Sequence, residues 1–161
     1  MVIKKIVFHE DESIGVVLYE ASPKEEKRTS YKGHGKMSPP LRVGLEQLEK
    51  QVCKLLGIDN NIAVTKLAFQ YAAGDRMGVS VVFNMCVRCK GVDSHCSVVS
   101  PFITESNTFK VYPQIDMPGD VAETLFKILA AAREYTRGMR EQTELKLEAA
   151  ANERKDGPTL K

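Results

Sequence analysis

Apolar and polar positions along the chain change period several times, and each change marks an expected element. The opening "VIKKIVFHEDESIGVVLYEAS" holds two β-branched, apolar runs on either side of the acidic "EDES". That arrangement predicts a β-hairpin, with imperfect alternation in its arms. The next stretch, "SPKEEKRTSYKGHGKMS", is charged and contains glycine, and is expected to form a loop with at most a short strand around Thr29 to Lys32. In "SPPLRVGLEQLEKQVCKLLGID" the period becomes helical, because Leu41, Leu45, Leu48, Val52, Leu55 and Leu56 fall four and three apart. Ser38 stands at the N-cap, Pro39 at the first helical position and Gly57 just past the end. Cys53, beside the apolar stripe, is expected at the edge of the core.

From Ile62 the period falls to two. Ile62, Val64, Leu67, Phe69 and Tyr71 predict a strand, and "AAGDRMG" a connection to a second, longer one. There Val79, Val81, Phe83, Met85 and Val87 share one face, opposite Ser80, Val82, Asn84, Cys86 and Arg88. A turn at "KGVDS" returns the chain through "HCSVVSPF" and completes a second hairpin. After the polar "ITESNTFKVYPQIDMPG", Asp120 and Glu123 have the spacing of a capping box. Val121, Leu125, Ile128, Ala132, Tyr135 and Met139 then repeat four and three apart along a long helix, and beyond Met139 the stripe fades.

The expected fold is therefore α+β in the order ββαββα: an antiparallel sheet from two hairpins, one central helix and a long C-terminal helix. Residues 1–150 are expected to form a single domain, with 151–161 as a flexible tail. The helix overhang past Met139 predicts a homodimer or higher homo-oligomer.

Composition narrows the class. Hydrophobic residues are 43% and charged residues 27% of 161, values that exclude a disordered or fibrous chain and allow a core without disulfides or metal. The 23 basic and 21 acidic side chains leave a net charge of +2, so any affinity for an anionic partner must come from a local patch. No apolar run approaches the ~20 residues that span a bilayer, and "MVIKKIVFHEDE" has charges where a signal peptide has its apolar centre. The expectation is a cytoplasmic protein with no membrane partner and four free thiols.

The run "FNMCVRCKGVDSHC" places Cys86, Cys89, His95 and Cys96 close together, as many zinc sites do. In a continuous strand, however, residues three apart point to opposite faces, so Cys86 and Cys89 do not share an ion, and neither do the neighbours His95 and Cys96. Free thiols are the simpler reading, and no metal or cofactor is assigned. A cross-strand disulfide between Cys89 and Cys96 would require the turn to set them opposite each other.

Candidate chemistry lies instead in "KEEKRTSYKGHGK". Here Arg28, Lys32, His34 and Lys36 surround small glycines, so that cations and backbone amides could neutralise a phosphate. The strand–loop–helix setting and glycine spacing of nucleotide-binding fingerprints are absent. Arg88 on the second hairpin is assigned to the same phosphate-binding set. Arg133, Arg137 and Arg140 on the last helix could join it. His9, His34 and His95 have no nucleophile in a recognised setting, and a non-enzymatic protein is expected.

Several strings resemble a family of small, largely uncharacterised proteins encoded by tailed bacteriophages and prophages: "KKIVFHEDESIGVVLYE", "GKMSPPL" before "VGLEQLEKQV", "VTKLAFQYAAGDRMGVSVVF" and "LFKILAAAREYTRGMREQTEL". The resemblance covers nearly the whole chain. It implies a phage protein acting in the cytoplasm of a bacterial host cell, and it lends no activity or catalytic residue. The function expected from the residues and the resemblance together is a phage accessory protein that binds nucleic acid or sequesters a nucleotide defence signal. The alternative is an interaction module that inhibits or recruits a host protein.

Overall fold

The computed structural model describes residues 2–21, 26–32 and 35–155. Three strands come first: β1 (Val2–Phe8), β2 (Ile14–Ala21) and β3 (Glu26–Lys32). Helix α1 (Pro39–Leu56) precedes β4 (Ile62–Ala72), β5 (Arg76–Cys89), β6 (Val92–Val99), β7 (Phe102–Thr104) and β8 (Gln114–Asp116), and α2 (Gly119–Lys155) follows. The eight strands form one sheet in the order β3-β2-β1-β4-β5-β7-β8, with β6 pairing β5 beside β7. All pairings are antiparallel except β7 with β8.

The class is α+β, but the order ββαββα is corrected by four additional strands: β3 before α1, and a third, fourth and fifth strand between the helices. β3 is a full strand rather than a loop, and it is rich in charge because it lies at the sheet edge, where one flank faces solvent. β7 and β8 are three residues each, too short for any alternation to register.

One face of the sheet is covered. Ile3, Ile6, Val16, Leu67, Val79, Val81 and Phe83 are fully buried there with Leu41 and Leu48 of α1 and Leu125 and Ile128 of α2. The irregular alternation in two strands has a physical cause. Register shifts lie between Ile3 and Lys5 in β1 and between Val64 and Lys66 in β4, so one extra residue in each strand restores the apolar side chains to the core. Where α1 crosses α2, a Cβ on Gly44 would stand 3.0 Å from Ile128 Cγ1, so the glycine sets how closely the helices approach.

α1 has Ser38 at its N-cap and ends on left-handed Gly57, as its sequence predicts, although the serine hydroxyl makes no capping bond. Helix α2 begins one residue before Asp120. The Asp120 carboxylate accepts from Val121 N–H at 2.9 Å, in place of the expected capping box with Glu123. The buried stripe of α2 runs as expected from Val121 through Ala132. At its far end the Tyr135 hydroxyl donates to the Gly35 carbonyl at 2.9 Å.

Candidate nucleic-acid interface

The opposite face of the sheet carries no helix among the described residues, and its strands set the geometry of the candidate site. Pairing fixes which residues share that face: Lys5 lies opposite Val17 and Ala68, and Val7 opposite Gly15 and Lys66. Lys66 in turn lies opposite Val82. Lys5 and Lys66 are thus diagonal neighbours on adjacent strands, about 7 Å apart in a regular antiparallel pair. Both are half-buried, and neither forms a salt bridge among the described residues. Arg76 and Arg88 of β5 belong to the same alternating set, whose described acids include Asp93, opposite Arg88, and Asp116, reached from Gly78 through Thr104. One corner is closed by the 105–113 loop. There Phe102 lies against Gly78, so closely that a Cβ on the glycine would collide with the ring, and Phe109 packs edge-on against Phe102 with centroids 5.2 Å apart.

The residues assigned to phosphate binding from sequence are distributed over this framework. Arg28 pairs with Tyr19, and Lys32 with Gly15, which puts both backbone positions in register with the uncovered face. Their side chains, and His34 altogether, lie outside the described residues. Lys36 is exposed, with Nζ 3.7 Å from a Glu12 carboxylate oxygen that also accepts from Arg42, so its charge is already partnered. Arg88 is exposed, 4.0 Å from Asp93. It lies six residues beyond Val82, the partner of Lys66, about 20 Å along β5 at strand spacing, so it stands apart from Lys5 and Lys66. Arg133 and Arg137 are exposed on α2, on the helix side of the sheet, and Arg137 pairs with Glu134 at 3.3 Å.

Comparison with protein families, curated proteins and solved structures returns no match.

The cysteine-rich hairpin has a different register from the one a disulfide needs. Lys90 and Gly91 form a two-residue turn with φ of 53° and 77°, so Cys89 pairs with Val92, and Cys96 with Met85. The Cys89–Cys96 pairing considered from sequence is thereby ruled out. Cys86 does face His95 across the ladder, while Cys89 and Cys96 belong to the other face. The described His, Cys, Asp and Glu residues include no group of three placed to hold a metal ion.

Clefts on the helix side are walled by carboxylates. The one of about 340 Å³ at the end of α1 is lined by Glu46, Glu49, Lys50, Cys53 and Asp59. Burial, then repulsion from Glu46, pushes the Glu49 carboxyl up to about 7. Two further clefts each include Asp120. Lys5, Lys66 and Arg76 were missed from sequence because their assignment depends on strand parity, which the bulges in β1 and β4 shift part-way along each strand.

Proposed function

We propose that the protein is a non-enzymatic accessory protein that binds nucleic acid across the uncovered face of its sheet, in the phage-infected bacterial cytoplasm that the resemblance implies. What supports this reading is the charge asymmetry of that face. Lys5 and Lys66 are diagonal neighbours with no salt bridge among the described residues, with Arg76 and Arg88 on the same face and the described acids Asp93 and Asp116 out on β6 and β8. A broad, open, cationic surface suits an extended polyanion, whose phosphates release counterions at each contact. A single nucleotide would need a concave pocket lined by donors, whereas the clefts on the helix side present carboxylates to it.

The test is fluorescence anisotropy with a labelled single-stranded oligonucleotide and the corresponding duplex over a range of salt. The double variant Lys5→Ala/Lys66→Ala is expected to weaken binding about tenfold and to reduce the slope of log K against log salt by about 1 to 2. Lys36→Ala, which removes a cation already paired with Glu12, is expected to have a smaller effect. Absence of binding to either oligonucleotide at low salt would end the proposal.

A further inference from the structure

β3, β8 and β6 each leave an outer edge without a strand partner among the described residues, and these edges are guarded differently. β3 carries Glu26, Lys27, Arg28 and Lys32, charges that discourage another strand from adding. β8 is three residues long. β6, by contrast, is eight residues of "VDSHCSVV", without lysine, arginine or proline and in unbroken register with β5. Six of the eight are exposed, among them Val92 at 63% and Val99 at 65%. Beyond Met85, β5 has no strand partner on its β4 side among the described residues, so the tip of the hairpin is a two-stranded ribbon, a form that is marginal in water.

The hydrogen-bonding phase of this edge is fixed. A two-residue turn makes Cys89 and Val92 a hydrogen-bonded pair, so Cys86 and His95 form a non-bonded one. The Cys86 carbonyl accordingly turns away from β6 and accepts from Asn60 Nδ2 at 3.2 Å. It follows that the backbone N–H and C=O groups of Asp93, His95, Ser97 and Val99 point outward from the edge.

We propose that β6 is a self-association edge. Two copies of the chain pair antiparallel through it, about a twofold axis at Ser94, so that Asp93 of each copy lies opposite His95 of the other. Antiparallel pairing of one strand with itself is the isologous arrangement that closes a dimer. The axis at Ser94 joins outward-pointing residues to one another and gives two symmetric pairs of imidazole N–H with carboxylate. Shifting the axis to His95 would set the imidazoles against each other, and shifting it to Cys96 would set Asp93 against Val99. The dimer continues the sheet from one copy into the next and gives the hairpin tip its third strand. It stands independently of any nucleic-acid ligand.

Sedimentation velocity of the full chain tests this. The wild type is expected at dimer mass. Ser97→Pro, which removes an outward N–H that β5 does not use, is expected to be monomeric with an unchanged circular dichroism spectrum. Asp93→Lys should weaken the dimer about tenfold, and adding His95→Asp should restore it. Ser94→Cys places two thiols directly across the axis and should yield a disulfide-linked dimer on oxidation, whereas the wild type should not. A monomeric wild type, a dimer indifferent to Ser97→Pro, or cross-linking of the wild type through Cys96 would overturn the proposal.

Discussion

Tyr71 shows how one side chain repairs a defect in the ladder. β1 pairs with β4 only from Lys5 to Val7, and the bulge next to Ile3 leaves the Ile3 carbonyl without a strand partner on that side. The Tyr71 hydroxyl fills the gap, donating to that carbonyl at 2.6 Å, while its ring stacks on Phe69 and lies under the Lys4 ammonium at 5.9 Å. Burial pushes the phenol up to about 12, so it stays a donor throughout the physiological range. Tyr71→Phe is therefore expected to cost about 1–2 kcal/mol in urea unfolding, the cost of leaving a buried carbonyl unpaired. The apolar character of Tyr71 was legible from its period-two position. Its hydrogen bond was not, because the acceptor lies 68 residues away at a bulge.

Among the elements, the long-period features were the readable ones. α1, with proline at its start and glycine at its end, and the alternation of Val79, Val81 and Phe83 in β5 each repeat a local rule over many residues. The exact hairpin turn was blurred, since "KGVDS" contains three candidate turn residues and only pairing shows that Lys90 and Gly91 occupy the bend. Lys90 has φ of 53°, a left-handed conformation that a type I′ turn demands and asparagine adopts more readily than lysine. Lys90→Asn is expected to stabilise the fold by about 0.5 kcal/mol, measurable as a higher urea midpoint with unchanged slope.

For the whole molecule, the pH dependence of stability tests the cleft at the end of α1. Glu49 ordinarily ionises near 4.5 and is held to about 7 in the fold, chiefly by burial. Between those values the folded state keeps a proton that the unfolded state has lost, so stability falls as pH rises through this window and is fully retained below it. Glu49→Gln should flatten that fall and leave the variant more stable than the wild type at pH 8, by about 1 kcal/mol once solvent screening of a half-buried group is allowed for. Thermal melts at pH 5 and pH 8 would show it. Sequence by itself determined which segments are helix and strand where their pattern is long, which leucines and valines line the core, and that Cys86 and Cys89 point to opposite faces of one strand. These follow from backbone periodicity, a property of neighbours in the chain. Only the tertiary structure decided that β3 is an edge strand, that both helices cover the same face, that Lys5 and Lys66 meet on the other, and that the outer edge of β6 has no strand partner among the described residues. Those features depend on strand order and on bulges that reverse side-chain parity, and no local stretch of sequence encodes either.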